Sequence, residues 1–193
     1  MFRHENNTLF LDNLNEREIN QVLELLGSHP EINELTIVRN NDNELLKTLA
    51  DSNKSQNITS LILRNSNITD EGIKHLPINL NSLYFSFSSI TDEGLKLLPT
   101  NLNSLNLDYS DTVNEAIKYL PKTLTSLNLA NTNITDEGIK QLSETLISLT
   151  SLNLNNTQIT DKGLQNLPLN LIFLNIKGTN NVDISTNLLG KVI

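Results

Sequence analysis

The sequence predicts an α/β solenoid, with a parallel β-sheet along one side and short helices along the other. Three observations support this prediction. A strand-like Leu-x-x-Leu-x-Leu unit recurs along the chain, a helix-start motif follows most of its copies, and the copies lie 22 to 26 residues apart. Internal repeats of this length are typical of solenoids. One such unit cannot bury its apolar face alone, so several must stack.

The strand unit is clearest at residues 102–107, 124–129 and 149–154. Looser copies bring the number of strand units to eight. The second apolar residue of each unit serves as a register mark. The marks are Leu9, Leu35, Leu61, Leu83, Leu105, Leu127, Leu152 and Leu174. Their separations are 26, 26, 22, 22, 22, 25 and 22 residues. Because side chains alternate along a strand, we expect these leucines to point inward and their neighbours outward.

An Ile-Thr-Asp-x-Gly motif follows four of the strand units, starting at Ile68, Ile90, Ile134 and Ile159. Thr or Asp can cap the free amides of a helix, and carboxylates favour the positive end of its dipole. A Leu-Pro pair such as Leu76-Pro77 follows and ends the helical pattern, because proline cannot continue a helix. Each repeat is therefore predicted to be a strand, a turn, a short helix and a return.

The aspartates of this motif form a column of carboxylates, Asp70, Asp92, Asp136 and Asp161. A row of bound cations is one interpretation, but a calcium site needs several oxygens that converge on one point. We favour helix caps, reinforced by Asp–Lys pairs four residues apart. The expected pairs are Asp70–Lys74, Asp92–Lys96 and Asp136–Lys140.

A second column lies three residues after the last apolar residue of each strand. It consists of Asn40, Ser66, Ser88, Ser110, Thr132, Thr157 and Thr179. A hydroxyl at this place can bond to the turn backbone of its own repeat or of the next one. We therefore expect a structural role for this column.

These motifs together resemble the leucine-rich-repeat superfamily. The variety is the one with a helical convex side and an Ile-Thr-Asp-x-Gly turn, as in F-box-type substrate receptors and host-directed bacterial effectors. The resemblance covers about residues 6 to 180 and implies a horseshoe with the sheet on its concave face. We expect one domain over residues 1–193 with about eight repeats. Residues 1–27 would be an N-terminal repeat with a longer helix that Gly27 ends. Residues 180–193 would be a C-terminal cap, whose apolar residues are Val182, Ile184, Leu188, Leu189, Val192 and Ile193.

Several classes of function find no support in the sequence. The net charge is −8, with 14 basic against 22 acidic residues, whereas nucleic-acid binding requires clustered Lys and Arg. The chain has no cysteine, and its three histidines show no metal-ligand spacing. We therefore expect no catalytic residues, no metal, no cofactor and no nucleic-acid partner.

The N-terminal residues lack an apolar stretch, and no window is apolar enough to cross a membrane. We therefore expect no insertion into a membrane. We expect the protein to be a monomer that is located in the cytoplasm, or in the cytosol of a host cell if it is an effector.

The outward strand positions remain as candidates for binding. Aromatic and Arg side chains, which anchor many interfaces, gather in repeats three to five. The candidate partner-binding residues are Ile62, Arg64, Tyr84, Phe87, Asp108 and Tyr109. The fifth repeat also departs from the motif at residues 112–116, beside Tyr109. Alternatively, Phe87 and Tyr109 fold over the turns and pack between repeats.

The resemblance implies a protein-interaction module that is not an enzyme and that binds a partner protein on its concave face, with a bacterial effector in a host cell as the first hypothesis. The alternative is a structural or recognition module of a larger protein, either an enzyme or an adhesin.

Overall fold

The computed structural model describes residues 1–38, 42–65, 68–85, 90–110 and 114–179. It confirms the α/β solenoid, with one nine-stranded sheet in the order β1 to β9. The strands are β1 Phe2–Glu5, β2 Thr8–Asp12, β3 Glu34–Val38, β4 Ser60–Arg64, β5 Ser82–Phe85, β6 Ser104–Asn106, β7 Ser126–Asn128, β8 Ser151–Asn153 and β9 Phe173–Asn175. The helices are α1 Glu16–Ser28, α2 Asp42–Asp51, α3 Asp70–Ile73, α4 Asp92–Leu95, a 3₁₀ helix Asn114–Tyr119, α5 Asp136–Thr145 and α6 Asp161–Leu164.

Strands β2 to β9 pair in parallel, and the predicted register is confirmed throughout. Leu9 lies opposite Leu35, and each later mark lies opposite the next one, as far as Leu152 and Leu174. All eight leucines are buried, and they belong to one continuous apolar core together with residues of the helices. The helices from α2 to α6, including the 3₁₀ helix, contact their neighbours in chain order. Each repeat therefore buries its apolar face against the adjacent repeats.

The first strand, β1, was not predicted. It pairs antiparallel with β2, so that Phe2 lies opposite Leu11 and Glu5 opposite Thr8. The turn between them includes Asn6, which has a positive φ of 53°, a conformation that Asn tolerates better than most residues. The hairpin covers the edge of the parallel sheet that would otherwise expose the unpaired backbone groups of β2.

Helix length follows repeat length. The repeats of 26 residues hold α1 with 13 residues and α2 with 10, and the repeat of 25 residues holds α5 with 10. The repeats of 22 residues hold helices of four residues or the 3₁₀ helix. The extra three or four residues, about one helical turn, extend the helical side of the repeat and leave the strand register unchanged.

Helix α1 is longer than the others, as expected, but Gly27 does not end it. The helix begins with a capping box in which Asn15 and Glu18 bond to each other's backbone amides at 3.0 and 3.1 Å. It continues to Ser28, whose hydroxyl donates to the carbonyl of Glu24 at 3.0 Å. This local bond satisfies a carbonyl at the helix end, and Gly27 lies within the last turn.

The column of hydroxyl residues has the predicted structural role. In each described member the hydroxyl donates to the carbonyl three residues earlier, within its own repeat. The bonds are Ser110 to Leu107 at 2.6 Å, Thr132 to Leu129 at 2.7 Å, Thr157 to Leu154 at 2.8 Å and Thr179 to Ile176 at 2.8 Å. Asn40, Ser66 and Ser88, and the predicted C-terminal cap at residues 180–193, lie outside the described residues.

The aspartate column joins neighbouring repeats. Asp70 accepts hydrogen bonds from the backbone N–H and the hydroxyl of Thr91 in the next repeat, at 2.8 and 2.6 Å. Asp136 holds Thr160 in the same way, at 2.8 and 2.7 Å. We call this arrangement the inter-repeat clamp. Each clamped threonine is an N-cap, and its own oxygen accepts from a backbone amide of the following helix.

In two repeats an asparagine takes the place of the aspartate in the clamp. Asn43 holds Thr69, and Asn114 holds Thr135, each through one bond from its amide nitrogen and one to its amide oxygen. In these two clamps the threonine oxygen accepts from the amide, and it makes no side-chain cap bond. The helix cap therefore depends on whether the preceding repeat supplies an acid or an amide.

The clamp also explains the glycine of the Ile-Thr-Asp-x-Gly motif. A Cβ atom on Gly94 would lie 2.2 Å from Oδ1 of Asp70, and one on Gly163 would lie 2.4 Å from Oδ1 of Asp136. Both distances are far below van der Waals contact, so only glycine leaves room for the carboxylate. The fifth repeat has the buried residue Ala116 at this position, and its helix is of the 3₁₀ type.

The predicted Asp–Lys pairs are wrong. Lys74 pairs with Glu71 and Lys96 with Glu93, each three residues earlier, while both oxygens of Asp136 bond to Thr160. The hydrogen bond to Glu93 raises the pKa of Lys96 above its ordinary value. Asp70 and Asp136 are thus directed towards the next repeat. The exposed residues Glu71 and Glu93 neutralise Lys74 and Lys96.

Replacing Asp136 by Ala removes two hydrogen bonds to Thr160, and we expect the free energy of unfolding to fall by about 1–2 kcal/mol. Urea denaturation followed by circular dichroism measures the change. Glu137→Ala, at an exposed site in the same helical turn, is the matched control and should change stability by no more than about 0.5 kcal/mol. Equal effects of the two substitutions would contradict the clamp.

Candidate binding face of the sheet

The side of the sheet that faces away from the core is the candidate site, and we call it the open sheet face. It consists of the strand residues that alternate with the buried leucines. Phe10, Thr36, Ile62 and Tyr84 lie side by side on successive strands, and we call these four residues the apolar strip. Phe10, Ile62 and Tyr84 are partly exposed, while Thr36 is buried between two of them. Predicted site residues Ile62 and Tyr84 are therefore direct cross-strand neighbours.

Two arginines border the apolar strip. Arg64 lies at the end of β4, opposite Val38, and is exposed. Arg3 lies on β1 opposite Phe10, and its guanidinium carbon is 4.6 Å from the centroid of the Phe10 ring, within the range of a cation–π contact.

The strip ends in a pocket at the N-terminal edge of the sheet, with a volume of about 300 Å³. The pocket is lined by Met1, Phe2, Arg3, Phe10, Leu11, Asp12 and Val38. Sequence reasoning missed this extension because β1, which carries Arg3, was not predicted. The sequence does align Phe10 with Ile62 and Tyr84, and this alignment could have indicated that the candidate surface extends to β2.

The later repeats have a different surface in the same column. There the amide oxygen of an asparagine accepts the backbone N–H two residues further on. The four bonds are Asn106 to Asp108 at 2.8 Å, Asn128 to Ala130 at 2.9 Å, Asn153 to Asn155 at 3.1 Å and Asn175 to Lys177 at 3.2 Å. These asparagines satisfy backbone groups at the strand ends, so their column is structural in repeats five to eight.

Asp108 is one strand beyond Tyr84 and is held within the solenoid. Its carboxylate accepts a bond from the side chain of Asn131 at 2.8 Å, and Asn131 in turn accepts one from Asn156 at 3.0 Å. Asp108 therefore begins a row of polar side chains that runs towards the C-terminal repeats. Among the predicted residues, the structure brings Ile62, Arg64 and Tyr84 together and places Asp108 and Tyr109 at the turn after β6.

Tyr109 has a left-handed backbone, with φ of 57°. The equivalent residues in other described repeats also have positive φ, but they are Asn or Gly. They are Asn13, Asn65, Asn131, Asn156 and Gly178. Asn and Gly adopt this conformation readily, whereas a bulky residue is strained there. Tyr109 is 50% exposed, so it does not pack fully between repeats. Phe87, the predicted residue in the same column, lies outside the described residues.

Tyr109 also lies at the head of a groove of about 430 Å³ that follows the turns after β6, β7, β8 and β9. The groove is lined by Tyr109, Asn131, Thr132, Asn133, Asn156, Thr157, Gln158 and Gly178. None of these residues is charged, in a chain that is 19% Asp, Glu, Lys and Arg. Thr112 and Val113, where the fifth repeat departs from the motif, lie outside the described residues.

Across the described ranges, no group of three or more His, Asp or Glu side chains could hold a metal ion. No helix within those same ranges is long and apolar enough to cross a membrane.

Stacked strand–helix repeats with a shared apolar core define a repeat solenoid. Four stretches of the chain match the family model of the leucine-rich repeat, at residues 54–76, 77–98, 121–143 and 145–167. These stretches are leucine-rich repeats, which confirms the predicted resemblance to the leucine-rich-repeat superfamily. The unmatched residues 99–120 in the middle are those that hold β6 and the 3₁₀ helix of the fifth repeat.

The chain is similar in fold to the crystal structure of an internalin from Listeria monocytogenes, with a TM-score of 0.60 and 23% sequence identity. The likeness covers 85% of this chain and 53% of the internalin chain, so this chain spans about half the length of that relative. No curated protein sequence matches the chain.

Replacing Tyr109 by Asn should relieve the left-handed strain, and we expect the free energy of unfolding to rise by about 0.5–1 kcal/mol. Thermal and urea denaturation measure the difference. Tyr119→Asn is the matched control, because Tyr119 has a negative φ and contacts Lys96 and Lys118 by cation–π interactions at 4.6 and 5.1 Å. A gain in stability for Tyr119→Asn, or a loss for Tyr109→Asn, would argue against strain at Tyr109.

Proposed function

We propose that the protein is a non-catalytic interaction module that binds a partner protein on its open sheet face. The observation that carries the proposal is the continuity of the apolar strip beside two arginines. The proposed surface has Ile62, Arg64 and Tyr84 at its centre, with Phe10 and Arg3 towards the N-terminus. Asp108 and Tyr109 form its other edge, and Phe87 belongs to the proposed surface by sequence alone.

The composition of this surface favours a protein partner. Aromatic and Arg side chains are enriched at the centres of protein interfaces, where they fill well-packed pockets that exclude water. The apolar strip contributes two aromatic side chains and an isoleucine, and the two arginines that border it contribute guanidinium groups. Arg3 and Arg64 are exposed in a chain of net charge −8, so they would favour a partner with carboxylates beside an apolar patch.

The contrast between the two halves of the sheet supports the same choice of site. In repeats five to eight the equivalent column is asparagine, and its amide oxygens bond to the protein's own backbone. In repeats one, three and four the column holds Phe10, Ile62 and Tyr84, which cannot make such bonds. These partly exposed apolar side chains do not bond to the backbone of the protein itself. Contact with a partner therefore explains their presence more easily.

The biological setting follows from the resemblance and is part of the proposal. An effector that acts on a protein of a host cell is the first hypothesis, supported by the Ile-Thr-Asp-x-Gly repeats that resemble those of host-directed bacterial effectors. The internalin with a similar fold also comes from a bacterium. That similarity covers about half of a longer chain, which favours a second candidate, a recognition module within a larger protein.

Tyr84→Ala should weaken partner binding by more than about 1 kcal/mol, because an aromatic residue at the centre of an interface usually contributes at least that much. Affinity capture from a eukaryotic lysate identifies the partner, and calorimetry then compares wild-type protein with Tyr84→Ala and Arg64→Ala. Tyr119→Ala, on the helical side, is the control and should leave the affinity unchanged. A loss below about 0.5 kcal/mol at both Tyr84 and Arg64 would refute the proposed surface.

A further inference from the structure

We propose that the groove headed by Tyr109 is a second binding site, for a neutral oligosaccharide, which shares only Tyr109 with the edge of the proposed protein-binding surface. The groove lies at the turns that follow the strands, whereas the apolar strip lies on the strands of the N-terminal half. Its volume of about 430 Å³ falls in the range of about 300–1,000 Å³ that is usual for small-molecule sites.

The walls of the groove are two rows of primary amides. Asn131 and Asn156 form one row, bonded at 3.0 Å, and Asn133 and Gln158 form the other, with a long bond of 3.4 Å. A primary amide carries two N–H donors and an oxygen that accepts two bonds. Each bond within a row uses only one N–H of the donating amide, so donors and acceptors remain along both walls.

The chemistry of these walls selects a neutral polar ligand. Amides donate and accept hydrogen bonds equally well, as sugar hydroxyl groups do. Among the residues that the structure describes, no charged side chain lines the groove to attract an ionic ligand, although the chain as a whole is strongly acidic. The one aromatic side chain of the lining is that of Tyr109, whose negatively charged ring face suits the polarised C–H groups of a pyranose.

The backbone of Tyr109 adds a second, independent observation. In the other described repeats this left-handed position holds Asn or Gly, the residues that fit it with least strain. Strained residues of this kind cluster at ligand-binding sites, where the side chain is retained for what it contacts. The strain therefore indicates that a tyrosine is retained at this position because its ring contacts a ligand.

The spacing along the groove argues against an extended peptide as the ligand. Equivalent side chains on adjacent parallel strands are about 4.8 Å apart, whereas an extended peptide advances by about 3.3 Å per residue. Three residues of such a peptide, about 9.9 Å, nearly match two repeats, about 9.6 Å, but the residue that comes back into step presents its side chain to the opposite face. The length of a pyranose unit is much closer to the strand spacing.

The test is a titration of isotope-labelled protein with maltotetraose, cellotetraose and N-acetylchitotetraose, followed by NMR of the side-chain amides. We expect at least one of these oligosaccharides to shift the amide signals of Asn131, Asn133, Asn156 and Gln158. Tyr109→Ala should weaken that binding by about tenfold, and Tyr109→Phe should retain it because the ring is kept.

Tyr84→Ala is the matched control, and it should leave oligosaccharide binding unchanged even where it abolishes binding of a protein partner. This separates a failure of the groove from a failure of the proposed function. The proposal is overturned if none of the three oligosaccharides shifts these amides, or if Tyr109→Ala binds as tightly as the wild-type protein. It is equally overturned if a blocked Ala-Thr hexapeptide shifts the amides and the sugars do not.

Discussion

The register of the leucine columns is the constraint on which the rest of the structure depends. Each repeat places a leucine at the same height in the sheet, from Leu9 to Leu174, and only this register buries the apolar side of all eight parallel strands in one core. A shift by one residue would turn every leucine outward. Differences in repeat length are therefore absorbed by the helices, whose lengths vary from four to 13 residues.

Much of this architecture could be predicted because it is periodic. The sequence repeats the strand unit, so the register and the inward leucines followed from spacing alone. Strand β1 could not be predicted in this way, since it occurs once and pairs antiparallel with β2. The clamp was also missed. The aspartates were visible as a column, but the partner of Asp70 lies 21 residues further on and that of Asp136 lies 24 residues further on. Local reasoning assigned them to nearby lysines.

The candidate site could likewise be predicted only in part. Alternation along the strands correctly pointed Ile62 and Tyr84 to the open sheet face, because that follows from backbone geometry. The hydrogen bond that Asn131 donates to Asp108 depends on the side-chain conformations of two adjacent repeats. It could therefore not be predicted from the sequence. The strain at Tyr109 could not be inferred from its column, because that column holds Asn or Gly at five other positions but Arg39 and Phe87 at two more. The positive φ of Tyr109 is visible only in the structure.

The repeats are not joined equally. Where Asp92 would meet the fifth repeat, the sequence has Val113 in place of the threonine and Ala116 in place of the glycine. Valine offers no hydroxyl to a carboxylate, and alanine brings a Cβ atom, which at Gly94 and Gly163 would come too close to the clamped aspartate. The fifth repeat therefore cannot supply the hydroxyl half of the clamp, although the sheet and the apolar core continue through it. Under tension along the solenoid axis, we expect this junction to part before the clamped ones.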